Sequence, residues 1–251
     1  MKEQLYMIPL NDAVNAGDEC PFCFIERNIV QDSMDFVLGN ASSYMESDVR
    51  QMTDQEGFCR PHFKQMFDYG NTLGNAWILK THYRKMIGEF KHKTASFQSG
   101  KSSFLQMRKK GTSGNTIATW IEEKEASCYI CKRFKETYQR YMDTFFYMLQ
   151  RDSVFQEKIA KSKGFCLPHF RDLCLAADVT LSDRERSDFY QIVNPLMIQN
   201  MERVAEDVAW MVEKFDYLNK DADWKNSRDA IQRGMQKLKG GYPADPPYKK
   251  S

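Results

Sequence analysis

Apolar residues recur at every third or fourth position along much of the chain, which is the spacing of one buried face of an α-helix. The clearest stripe follows the second cysteine pair and spans about five helical turns: Phe134, Tyr138, Tyr141, Phe145 and Met148. A less regular stripe follows the first pair: Ile25, Ile29, Val30, Phe36 and Val37. Strand patterns are weak, so the sequence predicts an all-α protein in which these stripes form the core.

Residues 63–90 also carry the helical period. Gly70 and Gly74 interrupt this segment, and because glycine weakens helices they predict a break or a close helix crossing. The sequence therefore indicates helical structure on both sides of these glycines.

A long C-terminal helix is predicted to begin at Ser182, which forms a capping box with Glu185. Pro195 should kink this helix or delimit its start. Beyond the proline, the heptad spacing of one apolar seam is typical of packing along a partner helix, inside the chain or in a dimer: Met197, Met201, Val204, Val208, Met211, Phe215 and Leu218. The Gly- and Pro-rich tail after it should be extended.

A duplicated pattern contains six of the seven cysteines. The first copy is C-P-F-C followed by G-F-C-R-P-H-F, and the second is C-Y-I-C followed by G-F-C-L-P-H-F. The two halves of a copy are 35 residues apart in the first and 34 in the second, and the copies are offset by 108 at their first cysteine. A pattern that recurs at one offset indicates internal duplication.

The repeat and the helices predict four segments. These are a first helical repeat, a Ser-, Gly- and Lys-rich linker or mobile loop, a second helical repeat, and a long helix with its tail, over residues 1–93, 94–116, 117–181 and 182–251.

Each copy supplies three thiolates and one imidazole, which is a standard closed ligand set for structural zinc. We expect one zinc ion per copy, and its binding free energy would stabilise the fold of that copy. The predicted first site consists of Cys20, Cys23, Cys59 and His62. The predicted second site consists of Cys128, Cys131, Cys166 and His169.

Three other interpretations of the cysteines stay open. An iron–sulfur cluster can be held by cysteines and histidine, and would make the chain a redox or electron-transfer protein. Thiol redox chemistry is a weaker alternative, since redox dithiols need no downstream C-x2-H. Nucleic-acid binding through zinc-ribbon-like turns is disfavoured by the net charge of only +2.

A separate ligand-binding site is suggested by polar residues that the second copy lacks. Asp48 and Arg50 precede the second ligand pair of copy one, and His82 follows it. His82 could act as a general base or a ligand contact if it faces a cleft beside the other two, although a surface or capping role is the more common one. No common catalytic motif accompanies them, so the sequence supports no enzymatic activity and predicts no catalytic residue.

Composition narrows the cellular setting. No apolar run reaches membrane-spanning length, and residues 1–10 lack the pattern of a signal peptide. We therefore expect a cytoplasmic protein with no membrane association.

The motifs resemble those of a bacterial protein family described as a domain of unknown function. The resemblance lies in I-P-L-N-D-A at 8–13, E-C-P-F-C at 19–23, M-E-S-D-V-R at 45–50 and the two cysteine–histidine motifs, and it covers most of the chain. Some members carry the label ABC transporter substrate-binding protein. The resemblance implies that the eight ligands are a family feature and brings no established activity.

The sequence therefore predicts a zinc protein that acts as a binding or interaction module. A protein partner or a second copy would bind through the C-terminal helix, because methionine-rich surfaces adapt to partners.

Overall fold

The computed structural model describes residues 4–40, 43–95 and 116–249. Over these residues the chain forms eleven α-helices and no strand, which confirms the all-α prediction. In chain order the helices are α1 (Gln4–Asn15), α2 (Pro21–Leu38), α3 (Ser47–Glu56), α4 (Arg60–Tyr69), α5 (Thr72–Ala95), α6 (Thr116–Ala126), α7 (Tyr129–Arg151), α8 (Ser153–Ala160), α9 (Leu167–Thr180), α10 (Asp183–Lys214) and α11 (Ala230–Lys239). None of the helices in these ranges is long and apolar enough to cross a bilayer.

The chain divides into two compact units, and each unit combines segments that are distant in sequence. The first unit contains Met1–Ile29 and Glu136–Pro246, and the second contains Val30–Lys135 and Pro247–Ser251. The chain passes from the first unit to the second within α2 and returns within α7. Each unit thus contains parts of both cysteine–histidine motifs, whereas the predicted segments are sequential. Most of the predicted linker, 94–116, lies outside the described residues.

The core of the first unit is aromatic. Phe145 of α7 lies at its centre, with ring centroids 5.5 Å from Phe22, 5.7 Å from Phe155 and 6.0 Å from Phe165. All four side chains are almost completely buried. Edge-on and tilted ring contacts of this kind add to the free energy gained from apolar burial. Tyr141, Phe145 and Met148 of the stripe predicted after the second cysteine pair are therefore buried in this unit, whereas Phe134 packs against the core of the second.

The core of the second unit is mixed aliphatic and aromatic. Met34, Leu38, Met66 and Ile78 are all at most 1% exposed and belong to one cluster. Tyr69 belongs to the same cluster, and its hydroxyl donates to Asp35 Oδ1 at 2.6 Å, which satisfies the polar end of a buried ring. The cluster is formed by α2, α4 and α5 together with the start of α7.

Helix boundaries follow local sequence signals. Gly70 ends α4 in the left-handed conformation at φ 86°, which is the usual backbone of a helix C-cap. Ser182 and Glu185 form the predicted capping box of α10. Pro195 does not delimit the start of α10, because the capping box begins the helix at Asp183 and the proline lies inside it.

The predicted seam of α10 packs partly inside the chain. Met197 and Val204 are buried, and Gly234 of α11 lies against Val204 and Val208. The helix ends at Lys214, so the last two predicted positions, Phe215 and Leu218, lie beyond it and are mainly exposed.

Candidate metal centres

Both C-x2-C pairs lie at the beginning of a helix. Cys20 immediately precedes α2, and Cys23 lies in its first turn, with its N–H donating to the Cys20 carbonyl oxygen at 3.0 Å. Cys128 and Cys131 occupy the same positions at the start of α7. One helical turn thus brings the two thiols of each pair to the same side of the helix end.

The C-x-P-H pairs also lie at helix starts, and their backbones match. Cys59 is the N-cap of α4 with φ −73° and ψ 162°, and Cys166 is the N-cap of α9 with φ −76° and ψ 158°. Proline is tolerated near the start of each helix, because an N–H group in the first turn would have no acceptor within the helix. His62 and His169 follow their cysteines by three residues, the spacing that places two side chains on the same helix face.

The first cluster lies in the first unit and joins Cys20 and Cys23 to Cys166 and His169. The Nδ1 atom of His169 is 3.4 Å from Cys20 Sγ, 3.5 Å from Cys23 Sγ and 3.1 Å from Cys166 Sγ. The Sγ atoms of Cys23 and Cys166 are 3.7 Å apart. Four potential ligand atoms therefore surround one point, all within 4.8 Å of one another.

The second cluster lies in the second unit and joins Cys59 and His62 to Cys128 and Cys131. The Nδ1 atom of His62 is 3.1 Å from Cys59 Sγ, 3.3 Å from Cys128 Sγ and 3.4 Å from Cys131 Sγ. The Sγ atoms of Cys59 and Cys131 are 3.8 Å apart. The two clusters thus have nearly the same geometry and present the same ring nitrogen.

The predicted division of the eight ligands into two sites is wrong, although the eight residues do gather in two groups of four. Each cluster takes its C-x2-C pair from one copy and its C-x-P-H pair from the other. The physical reason is the long helix that follows each C-x2-C pair. The 18 residues of α2 advance the chain by about 27 Å and carry it out of the first unit before Cys59 and His62 are reached.

Burial in the first cluster favours the neutral imidazole of His169. It disfavours the thiolate form of the cysteines unless a cation is bound beside them. Burial lowers the pKa of His169 to about 4, so the ring is neutral near pH 7, the form that binds metals. Burial is also the main cause that raises the pKa of the Cys20 thiol to about 12. A bound divalent cation reverses this preference, because its charge stabilises the thiolate. In the second cluster burial lowers the pKa of His62 as well.

The carboxylate of Glu26 lies next to the imidazole of His169, on the side opposite the thiols. The Nε2 atom of His169, on the side of the ring away from the thiols, lies 3.5 Å from Glu26 Oε2. Glu26 is thus placed to accept from this nitrogen, the contact that fixes the tautomer and orientation of a metal-binding imidazole. Phe22 and Tyr138 flank the same ring at 5.9 and 5.7 Å between centroids.

The sequence did not identify Glu26 or the C-terminal glycines as parts of this centre. Glu26 follows Cys23 by one helical turn, and that spacing was the available signal. Gly241 donates its backbone N–H to Cys23 Sγ at 3.4 Å, across 218 residues, and no local pattern predicts such a contact.

The three residues suggested for a separate ligand site have different surroundings. Arg50 donates to the carbonyl oxygens of Tyr44 and Met45, so it holds the turn before α3. Asp48 lies in the first turn of α3. His82 donates from Nδ1 to the Asp54 carbonyl oxygen at 3.2 Å, and it lines a cavity together with Cys59. Ligand binding by this trio stays a prediction.

The fold and the site thus define a helical protein with two Cys3His clusters that could each bind a metal ion. The chain belongs to DUF6062, a family of unknown function, whose sequence model matches residues 1–245. This match confirms the resemblance drawn from the motifs. Comparison with curated proteins gave no match, and comparison with solved structures gave none either.

Proposed function

We propose that this protein is a zinc-dependent helical scaffold that acts as a binding or interaction module. The observation that carries the proposal is the convergence of four soft ligands at one point in each unit. Each centre joins two helix starts that are far apart in sequence, so a bound ion would hold the unit together. Its binding free energy would then be part of the free energy of folding, about 10 kcal/mol for a structural zinc site.

The sulfur spacing supports a single tetrahedral ion over an iron–sulfur cluster. With Zn–S bonds of about 2.3 Å, two thiolates on a tetrahedral ion lie about 3.8 Å apart. The Sγ–Sγ distances of 3.7 Å between Cys23 and Cys166 and 3.8 Å between Cys59 and Cys131 agree with this value. An iron–sulfur cluster distributes its four protein ligands over two or more iron ions with sulfide between them, so ligands on different irons lie farther apart than ligands on one ion. Here all four ligand atoms of each group lie within 4.8 Å of one another, as expected for a single ion.

Elemental analysis of protein purified without oxygen tests the metal assignment. We expect colourless protein with two zinc ions per chain. Cys166→Ser should lose one ion, whereas Cys174→Ser, which changes the cysteine outside both clusters, should retain two. Brown protein that contains iron and sulfide would contradict the zinc assignment and favour the iron–sulfur alternative. Protein that binds no metal would overturn the proposal as a whole.

The interaction role is supported by an exposed apolar surface at the end of α10. Four side chains there are exposed by 69–80%: Val212, Phe215, Tyr217 and Leu218. Clustered exposed apolar residues of this kind mark interaction sites more often than isolated ones do. We propose that a second copy of the chain binds at this surface.

Light scattering after size exclusion tests the association. We expect a dimer that Val212→Ser with Leu218→Ser converts to monomer. Val179→Ser, which changes a side chain of α9 that is 86% exposed, is the matched control and should leave the dimer intact. A wild-type chain that is monomeric at all concentrations would remove the interaction half of the proposal and leave the zinc half standing.

Location in the cytoplasm is supported by the cysteines. None of the seven forms a disulfide, as expected for a chain in a reducing compartment. Cell fractionation with an antibody against the chain tests this location.

A further inference from the structure

We propose that the two centres have different roles: the first is a closed structural site, and the second exchanges its metal with soluble ligands. This inference rests on the proposed zinc binding and adds that the two centres differ in how readily they release the ion. It comes from the burial of the two clusters and from the C-terminal segment that covers the first cluster.

The second cluster is open to solvent. Cys131 is exposed, Cys59 and His62 are half-buried, and only Cys128 is buried. Cys59 also lines a cavity of about 610 Å³ in the same unit, together with Phe58, Phe63 and Trp120 among others. A small chelator or a thiol can therefore approach this centre from solvent and from the cavity.

The first cluster is closed. Cys20 and Cys166 have no exposed surface, and Cys23 and His169 are each 5% exposed. An incoming ligand cannot reach a metal at this point unless part of the protein moves away.

The part that covers the first cluster is the segment after α11. Gly241 donates its N–H to Cys23 Sγ at 3.4 Å, and a Cβ on Gly240 would lie 3.5 Å from Cys166 Sγ. Both glycines have left-handed φ values, 75° and 64°, which other residues adopt only with strain. This backbone thus fits closely over two of the four ligands, and its N–H can stabilise a thiolate.

Hydrogen bonds and ion pairs join α11 and the following tail to the residues around Cys20 and Cys23. Lys237 is almost fully buried, and its ammonium donates to the Glu19 carbonyl oxygen at 2.7 Å and lies 3.3 Å from the Glu19 carboxylate. Gln236 donates to Asp18 at 2.7 Å. Farther along, Asp245 lies 3.6 Å from Arg27 of α2. We call residues 236–245 the C-terminal clasp.

Exchange at the second centre is a ligand substitution without electron transfer. A donor atom of the incoming ligand binds the ion as the Cys131 sulfur leaves as thiolate, which then takes a proton from water. Repetition at the remaining three ligands transfers the divalent ion to the acceptor. The first centre can follow the same course only after the clasp has opened.

Metal release from the zinc-loaded full chain to an excess of the chromogenic chelator 4-(2-pyridylazo)resorcinol tests this proposal. We expect two phases of one zinc each. Cys131→Ser should abolish the fast phase. Lys237→Met should accelerate the slow phase by about tenfold or more, the scale of effect for groups that support metal ligands, and leave the fast phase unchanged. Lys239→Met, an exposed lysine of the same helix, is the matched control.

Gly241→Pro provides a second variant, because proline lacks the N–H above Cys23 and cannot adopt the φ of 64° found there, so it should displace the clasp from the first cluster. An unchanged fast phase shows that the second unit has folded. Release of both ions at one rate would overturn the proposal, as would a slow phase that neither Lys237→Met nor Gly241→Pro accelerates. Either result would leave zinc binding intact. A chain that carries no zinc would instead overturn the proposed function.

Discussion

At Gly57 the backbone adopts φ 63° and ψ −159°, a conformation that is essentially restricted to glycine. A Cβ there would also lie 3.1 Å from His82 Cε1. Gly164, the matching residue of the other copy, has φ 73° and would bring a Cβ to 3.2 Å from Met197 Sδ. Glycine is thus favoured in each G-F-C-x-P-H motif for two reasons: the positive φ, and the close side chain that a Cβ would contact.

Gly57→Ala should destabilise the protein by about 1–3 kcal/mol, because alanine is strained in this region of φ and ψ. Urea denaturation of the zinc-loaded protein measures the change. Gly88→Ala is the matched control, since Gly88 lies in α5 with nothing within 4 Å of its added Cβ, and alanine favours helix there. Equal stability of the two variants would contradict the backbone argument.

The buried imidazole of His169 predicts a loss of stability in acid. Without a bound metal its pKa is about 4 in the folded chain and about 6.5 when unfolded, so between these values the unfolded chain binds the proton more readily. The contribution of about 3 kcal/mol is therefore complete above pH 6.5 and disappears as the pH falls to 4. A metal on Nδ1 acts in the same direction, because a proton competes with it.

Unfolding free energies measured in urea at several pH values from 7.5 to about 4 check this expectation. His92→Gln, which changes an exposed histidine outside both clusters, should show the same decline. A stability that is constant or rises as the pH falls through this range would exclude His169 as a neutral buried group.

At the scale of the helices, local signals predicted some boundaries well. The capping box of α10 and the break after α4 are where the sequence placed them, because a side-chain cap and a left-handed glycine act on adjacent residues. α11 was not predicted. Gly234 weakens it locally, and the helix is supported instead by Val204 and Val208 of α10, which no local pattern identifies.

The cap of α10 should contribute measurably to stability. Ser182 accepts from the backbone N–H of Glu185, and the Glu185 carboxylate accepts from the Ser182 N–H at 2.9 Å. Ser182→Ala should therefore cost about 1 kcal/mol in urea denaturation. Ser187→Ala, in the exposed interior of the same helix, is the control and should be close to neutral. A cost as large for Ser187→Ala would show that the cap itself is not responsible.

At the scale of the whole molecule, the sequence predicted which residues gather but not how they are grouped. Ligand type and the C-x2-C spacing are local properties, and they were sufficient to identify all eight residues. The grouping depends on where α2 and α7 lead the chain, over separations such as the 146 residues between Cys23 and His169. No spacing within one copy contains that information.

Double variants distinguish the observed grouping from the sequential one. Cys20→Ser with Cys166→Ser changes one cluster only, so the protein should retain one zinc ion per chain. Cys20→Ser with Cys59→Ser changes both clusters and should retain none. Elemental analysis gives the two stoichiometries, and the reverse result would restore the sequential arrangement.

The interleaved ligands also set an order in which the centres can be completed during protein synthesis. Cys131 is the last ligand of the second cluster to be translated, and His169 is the last of the first cluster. All four ligands of the second cluster have therefore been synthesised before Cys166 and His169, the partners of Cys20 and Cys23, are translated. Those two thiols must stay reduced and unbound through the translation of about 146 residues, a period of roughly 7–30 s at the usual rate of 5–20 residues per second.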